Sequence, residues 1–196
     1  EVDHRLGISL GMKREQVERA IKEHPNAVAV LVNNPTYYGI CSDLKAIVKM
    51  AHDAGMLCLA DEAHGTHFYF GENLPVSAMA AGADMAAVSM HKSGGSLTQS
   101  SLLLTGKNVN PGYVRQIINL TQTTSGSYLL MSSLDISRRT LALDGQAIFD
   151  KVIEKEEAMK KAGIGWLQRK ALKALVSVMP DFKGEYIVRD NLVVVY

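Results

Sequence analysis

Short apolar runs alternate with segments of helical spacing along the first half of the chain, and this alternation limits the fold more than any other feature. Each run has the length of a strand, and continuous apolar runs are typical of strands buried on both faces. Strands that alternate with helices favour an α/β fold, a mostly parallel sheet with flanking helices. The four predicted strands are AVAVLV (27–32), MLCLA (56–60), DMAAVSM (84–90) and SSLLLT (100–105).

Helices are predicted between and after these strands. Ser42 is the predicted N-cap of the second helix, and glycine follows the second and third helices. Beyond the fourth strand the pattern becomes mainly helical, with one long stretch, a weakly marked boundary at 163–165 and a short α+β tail. The predicted helices cover residues 13–24, 43–54, 76–81, 111–121, 127–162 and 166–178.

The composition argues against several classes of protein. Charged residues make up 21% of the chain and the formal net charge is +1, so we expect no nucleic-acid partner. No apolar run reaches the roughly 18 residues of a spanning helix and no secretory signal is visible, so we expect no membrane association. Two cysteines do not make a disulfide framework, which favours the reducing cytoplasm.

Polar side chains follow two of the predicted strands. Asp61 follows MLCLA, and His91 and Lys92 follow DMAAVSM. Because ligands bind outside the carboxyl ends of the strands in such sheets, we expect a carboxylate and an amine to face one cavity. The small residues SGGS (93–96) leave room for a ligand to approach the backbone. The simpler alternative is a solvated lysine at the end of a strand.

The chemistry of Lys92 suggests a cofactor. A lysine amine in a desolvated pocket can attack an aldehyde and form a Schiff base, and pyridoxal phosphate is the common aldehyde cofactor. That cofactor also needs an acidic partner at its ring nitrogen and donors for its phosphate. Ser89 and His91 are two residues apart, so on a strand they share one face and both point at the phosphate.

The stretch LCLADEAH (57–64) allows two other interpretations. It matches the magnesium-binding strand of a DEAH-type helicase, which also needs a GxxxxGK[ST] phosphate loop that this sequence lacks. Asp61, Glu62, His64 and His67 offer four metal-binding side chains, but their spacing is not the HExxH of a zinc helix. We therefore expect no metal site.

Three segments together resemble the large domain of the bacterial Orn/Lys/Arg decarboxylases, which are pyridoxal-phosphate enzymes with the aspartate-aminotransferase-like fold. The motifs DEAHGxHF, SxHK and TQSS in this order carry the resemblance, which covers about residues 7–146. The segments are NNPTYYGICSDLKAI, LADEAHGTHFYFGENLPVSAMAAGADMAAVSMHKSGGSLTQSSLLL and QTTSGSYLLMSSLDISRR.

The resemblance implies how the chain is divided. Residues 1–146 are then a cofactor-binding large domain without its amino-terminal part, and residues 147–196 are a linking helix and the start of a small carboxyl-terminal domain. The family's phosphate loop and the residue that stacks on the cofactor ring would precede this chain. We therefore expect a fragment of a longer protein that holds half of a cofactor site.

The resemblance also implies roles around the cofactor ring. Lys92 carries the Schiff base, and Asp61 pairs with the ring nitrogen. Ala63 packs against the face of the ring, and His64 lies beside the ring hydroxyl or the substrate. Lys92 or His91 returns a proton to the substrate.

The remaining implied roles concern the phosphate and the oligomer. Ser89 and His91 hold the phosphate within the subunit. Thr124 and Ser125 approach the phosphate of a partner subunit across the interface of a homodimer or a higher oligomer. This chain has Gly126 where the family commonly has proline, so the resemblance does not fix the shape of that loop.

The implied reaction is decarboxylation of lysine, ornithine or arginine to a diamine or agmatine, a step of polyamine biosynthesis. One alternative is another enzyme of the same fold, an aminotransferase or a lyase. Those enzymes usually bind the substrate carboxylate with an arginine, which cannot be assigned in this sequence. A second alternative is a non-catalytic remnant that dimerises through its helices.

Overall fold

The computed structural model describes residues 2–4, 7–161, 186–189 and 192–195. The strands are β1 (Val2–Asp3), β2 (Ile8–Ser9), β3 (Ala29–Asn33), β4 (Leu57–Asp61), β5 (Met85–Val88), β6 (Leu102–Thr105), β7 (Tyr186–Arg189) and β8 (Leu192–Val195). The helices are α1 (Arg14–Glu23), α2 (Leu44–Asp53), α3 (Ala78–Ala81), α4 (Met90–Ser93), α5 (Pro111–Thr121) and α6 (Tyr128–Lys161), with a 3-10 helix at Thr66–Tyr69.

The central sheet has the strand order β3-β4-β5-β6. The first three strands are parallel, and β6 is antiparallel to β5. The predicted α/β class with a mostly parallel sheet is therefore confirmed, and so are the four strand positions to within two residues at each end. The predicted helix 166–178 and the boundary at 163–165 lie outside the described residues.

The start of α2 differs from the prediction. Asp43, not Ser42, is the N-cap, because its carboxylate accepts a hydrogen bond from Ala46 N at 3.2 Å. The Ser42 hydroxyl has another partner and accepts from Met12 N at 2.9 Å. Ser42 thereby joins the segment before α1 to the segment before α2. In the part of the chain that the structure describes, no helix combines the length and the apolar character needed to cross a membrane.

One face of the sheet packs on helices. Val32, Cys58 and Val88 are buried on this face, where α2 covers β4 and α1 packs against α2. Side chains alternate between the two faces of each strand, so their neighbours point the other way. Those neighbours form what we call the open face.

The open face carries three exposed leucines. Leu31 is 67% exposed, Leu57 41% and Leu103 43%. The expectation that the strands are buried on both faces is therefore wrong for the described residues. A continuous apolar run shows that the side chains on both faces of a strand are apolar, but it does not show whether other elements pack on each face.

The long helix α6 builds a second apolar cluster beside the sheet. Leu141 and Phe149 of α6 are buried together with Met90 of α4, and Phe70 and Leu74 pack against them. This cluster lies under α4, the short helix that carries His91 and Lys92. The position of α4 is thus set by the sheet on one side and by α6 on the other.

A buried carboxylate fixes the opposite end of the sheet. Asp84, just before β5, accepts hydrogen bonds from Cys58 N at 2.8 Å, His52 Nε2 at 2.8 Å and Asn108 Nδ2 at 3.4 Å. Burial alone would raise the pKa of Asp84, but these hydrogen bonds and the nearby histidine outweigh it and lower the pKa. The network joins α2, β4 and the start of β5.

Candidate functional site

The candidate site lies at the carboxyl ends of β4 and β5. Asp61 is the last residue of β4, and its register partner on β5 is Ala87. His64 follows three residues after Asp61, and Lys92 lies on α4, directly beyond β5. Lys92 Nζ is 3.3 Å from His64 Nε2. The two predicted groups of polar residues therefore meet at one edge of the sheet.

Asp61 presents its carboxylate on the open face. The side chain is exposed, and Oδ1 accepts a hydrogen bond from Ala63 N at 3.1 Å. Asn33, its register partner on β3, donates from Nδ2 to the Asp61 carbonyl at 3.4 Å. The turn that follows β4 thus orients the carboxylate through the backbone N–H of Ala63.

The expectation that Ser89 and His91 share one face of a strand is wrong. β5 ends at Val88, and residues 90–93 form α4 with Ser89 as its N-cap. The Ser89 carbonyl accepts from Lys92 N at 3.1 Å and from Thr66 Oγ1 at 3.0 Å, which turns the chain into a helix instead of extending the strand. The apolar run continues through Met90, which lies beyond the strand and is buried in the cluster formed by α6 together with Leu102 of β6.

His91 is held by the loop that follows it. Its ring Nδ1 lies 3.0 Å from the Ser100 carbonyl, which also accepts from His91 N at 3.2 Å. Because a carbonyl oxygen only accepts, Nδ1 carries the hydrogen and Nε2 is directed elsewhere. The ring is half-buried. His91 is therefore oriented through Ser100, a residue that the sequence pattern did not single out for this purpose.

Tyr37 is a further residue at this edge that sequence reasoning missed. It lies in the loop after β3, with its ring centroid 5.4 Å from the His64 ring and the two planes nearly perpendicular. Its side chain is 69% exposed. Because β3 ends at the same edge of the sheet as β4 and β5, the loop after β3 also reaches the site. The position of this loop in the sequence could have indicated Tyr37 as an additional site residue.

Glu62, one of the candidate metal ligands, serves a different purpose. It is fully buried and accepts hydrogen bonds from Tyr69 Oη at 2.5 Å and from Ala78 N at 2.8 Å. Burial raises the pKa of Glu62 to about 6, although both hydrogen bonds act in the opposite direction. Glu62 therefore anchors the loop between Asp61 and His64 to the protein interior through its bonds to Tyr69 and Ala78.

The other candidate ligands are not gathered around Glu62. His67 packs its ring against those of Phe68 and Phe149, with centroids 4.6 and 5.8 Å away. Among the residues that the structure describes, no group of three or more His, Cys, Asp or Glu side chains could hold a metal ion. The DEAH segment thus has its acidic residues on two sides of the loop, with Asp61 exposed and Glu62 buried.

The residues present fit pyridoxal phosphate. Three buried serine hydroxyls beside α4 have no hydrogen-bond partner among the described residues: Ser93, Ser96 and Ser100. A buried hydroxyl without a partner costs about 1–3 kcal/mol, and a phosphate would offer acceptors to such groups. Together with the amine of Lys92 and the exposed carboxylate of Asp61, which accepts from a protonated ring nitrogen, these hydroxyl donors match what the cofactor requires.

Thr124 and Ser125 lie apart from this group, in the exposed loop between α5 and α6. The hydrogen bond of this segment is local, from Ser125 N to Thr123 Oγ1 at 3.1 Å. The structure thus does not join these two residues to Lys92, and their expected contact with a partner subunit stays a prediction.

Comparison with solved structures supports the fold. The chain aligns with alanine–glyoxylate aminotransferase from Nostoc sp. with a TM-score of 0.58 at 17% identity, over 78% of this chain and 46% of that chain. It aligns with a NifS-like protein from Rickettsia africae with a TM-score of 0.59 at 16% identity, over 78% of this chain and 44% of that chain. At these identities the likeness concerns the fold alone.

Comparison with curated proteins is more specific. The chain is 49% identical to an arginine decarboxylase from Bacillus subtilis over 155 residues, which are 79% of this chain and 32% of the relative. It is 51% identical over 159 residues to an arginine decarboxylase from Halalkalibacterium halodurans, again 79% of this chain and 32% of the relative. The chain thus spans about a third of the length of these relatives. The family model described as Orn/Lys/Arg decarboxylase, major domain, matches residues 2–182, so the chain belongs to the Orn/Lys/Arg decarboxylase family.

Proposed function

We propose that this chain is part of a pyridoxal-phosphate-dependent decarboxylase that converts arginine to agmatine and carbon dioxide. The observation that carries the proposal is the contact of Lys92 Nζ with His64 Nε2 at 3.3 Å beside the exposed carboxylate of Asp61. Arginine is favoured over lysine and ornithine because the relatives at 48–51% identity are named arginine decarboxylase.

The side chains divide the work by position. When bound, pyridoxal phosphate supplies the electron sink that accepts the electron pair released as the carboxylate leaves. Lys92 provides the amine that binds the cofactor aldehyde, and Asp61 provides a negative charge for the protonated ring nitrogen. Ala63 and His64 follow Asp61 in the same turn, close to the ring. The exposed position of Asp61 on the open face leaves its carboxylate accessible to a ligand.

The phosphate end is proposed to lie by α4. His91 keeps Nε2 available because Nδ1 is bonded to the Ser100 carbonyl at 3.0 Å. Ser89 caps α4 without using its hydroxyl for the cap, so that hydroxyl can also serve the phosphate. The hydroxyls of Ser93 and Ser100, which have no partner among the described residues, extend the same set of donors. Ser89 and His91 thus keep their proposed role of holding the phosphate, although they lie at the start of a helix rather than on a strand.

Lys92 is the favoured proton donor to the substrate α-carbon. Its amine lies within exchange distance of His64 Nε2, so a proton can move between the two groups. His91, the other candidate, has one ring nitrogen engaged by the Ser100 carbonyl. We therefore assign the proton transfer to Lys92, with His64 as the group that keeps it supplied.

We further propose a cytoplasmic homodimer. Helix α5 and the start of α6 expose large apolar side chains, with Leu120 and Tyr128 both 82% exposed and Leu129 71% exposed. Thr124 and Ser125 lie between them, so a partner covering these helices would meet both residues. Residues 1–146 then belong to the large domain, and residues 147–196 lead to the next one. The free thiols Cys41 and Cys58 fit a reducing compartment.

The central test uses the cofactor and the native protein. After mixing with pyridoxal phosphate, reduction with borohydride and peptide mapping, we expect the label on Lys92 and none in Lys92→Ala. Carbon dioxide release from arginine should exceed that from lysine and ornithine. Label on another lysine would refute the cofactor assignment, and amino transfer without carbon dioxide release would replace the decarboxylase with an aminotransferase. For the dimer, Leu120→Glu should shift the sedimentation of the native protein toward a monomer.

A further inference from the structure

The loop that follows Lys92, residues 93–100, is held from outside by helix α6. Ser137 Oγ donates a hydrogen bond to the Gly94 carbonyl, and Ser133 Oγ accepts one from Leu97 N at 2.8 Å. The two serines are four residues apart, so they lie on one face of the helix. We call residues 93–100 the lysine loop. Helix α6 therefore binds the backbone of the lysine loop at two points.

The lysine loop turns sharply at two glycines. A Cβ atom at Gly94 would lie 2.7 Å from the Met90 carbonyl oxygen. Gly95 has a φ of +87°, a backbone conformation that is strained for any residue with a side chain. Glycine permits this path but does not enforce it, because it also allows many others. The conformation of the loop therefore depends on bonds made to it from elsewhere.

The same loop adjoins the last turn of α4. Gly94 N donates to the Met90 carbonyl at 2.8 Å, and the Ser100 carbonyl accepts from His91 N and His91 Nδ1. Any movement of Gly94 thus reaches the helical turn from which Lys92 extends. Any movement of Ser100 reaches His91.

Packing alone does not account for a serine at position 137. The residue is 7% exposed and lines the same cavity as Leu141 and Phe149. An alanine would fill almost the same space, but it would leave the buried Gly94 carbonyl without the hydroxyl donor. The hydroxyl of Ser137 therefore stabilises the backbone of the lysine loop, while the apolar cluster holds α6 in place.

We propose that Ser133 and Ser137 are positioning residues for Lys92. They fix the path of the lysine loop and, through α4, the direction in which the Lys92 amine meets His64. This inference rests on the proposed function of Lys92 and assigns to the long helix a part in that function.

The first measurement needs no cofactor. In the native protein, amide hydrogen exchange at Leu97 should become up to about tenfold faster in Ser133→Ala, because the amide loses its acceptor. Ser137→Ala should speed exchange across residues 94–97. Ser132→Ala is the matched control, since Ser132 is an exposed neighbour on the same helix. It should leave exchange unchanged.

The second measurement uses the loaded enzyme. Each alanine variant should lower kcat for arginine roughly three- to tenfold with little change in KM, and should slow the labelling of Lys92 by pyridoxal phosphate and borohydride. Ser133→Thr, which keeps the hydroxyl at a half-buried position, should restore both. A lowered melting temperature with unchanged labelling and kcat would refute the inference, because the serines would then act on stability alone.

The two proposals fail in different ways. If wild-type protein takes no label at Lys92, the proposed function is wrong and the positioning role falls with it. If wild-type protein is labelled at Lys92 but both alanine variants match it in exchange, labelling and kcat, the proposed function stands and the inference about α6 is wrong. Ser133→Ala decides the matter even if Ser137→Ala does not fold.

Discussion

Lys92 Nζ lies 3.3 Å from His64 Nε2, and this contact joins the loop after β4 to helix α4, which follows the neighbouring parallel strand β5. When the amine is protonated it donates to the neutral imidazole, and when it is neutral it can accept from the ring. The pair can therefore pass a proton in either direction without a rearrangement of the backbone.

Removing the imidazole should impair chemistry more than binding. In the native protein, His64→Ala should lower kcat for arginine about 10- to 100-fold, since a hydrogen bond to a charged group contributes about 1.5–3 kcal/mol. Steady-state kinetics check this. The control is His24→Ala, at the exposed end of α1, which should retain full activity. An unchanged kcat in His64→Ala would remove His64 from the mechanism.

The charge of Asp61 should matter more than its shape. Asp61→Asn keeps the size of the side chain and an acceptor for Ala63 N, but removes the negative charge proposed to face the ring nitrogen. We expect activity to fall at least about tenfold, with weaker binding of pyridoxal phosphate measured by the absorbance of the bound cofactor. Asp53→Asn, on the exposed end of α2, is the control. Equal cofactor affinity and activity in both variants would contradict the assignment.

Glu62 should make the stability of this chain depend on pH in a defined window. Burial raises its pKa from 4.5 to about 6, so its contribution to stability is full below about pH 4.5 and is lost as the pH rises through about 6. The loss amounts to about 2 kcal/mol. Urea unfolding at about pH 4.5 and about pH 7 should show this fall in wild-type protein relative to Glu62→Gln. Parallel pH profiles for the two proteins would contradict it.

Asp84 should act with the opposite sign. Its pKa is lowered in the folded state, so its contribution to stability is present above the ordinary value of 3.8 and is lost as the pH falls through the lowered pKa. At neutral pH, Asp84→Asn weakens the acceptor of Cys58 N and His52 and should cost about 1–3 kcal/mol in urea unfolding. Asp53→Asn, which breaks an exposed pair with Lys49, should cost less than about 0.5 kcal/mol. Equal costs for the two would show that the Asp84 network adds no stability.

Much of the fold could be predicted from the sequence because each strand is local in the chain. The apolar runs located β3 to β6, and the rule for parallel sheets brought the end of β4 and the end of β5 to one edge. The same signal failed at Ser89 and His91, since an apolar run cannot show where a strand ends and a buried helix begins. Met90 is buried against Leu141 and Phe149 of α6, which lie more than 50 positions further along the chain.

The parts of the site that were missed depend on distant partners. In the sequence, Glu62 cannot be distinguished from an exposed acidic neighbour of Asp61. In the structure it is bonded by Tyr69 and by Ala78 at the start of α3. Ser133 and Ser137 look like ordinary polar residues on a helix, and their role depends on where the lysine loop lies against them. In each case the residue type was visible, but tertiary packing decided what the side chain could bond.

The open face of the sheet has a thermodynamic consequence. Leu31, Leu57 and Leu103 are exposed in the part of the chain that the structure describes, so the free energy that their burial would release is still available to a binding partner. A partner that covers them and binds the folded chain but not the unfolded one raises the melting temperature as its concentration rises. The melting temperature of this polypeptide should therefore depend on the concentration of any such partner in the sample.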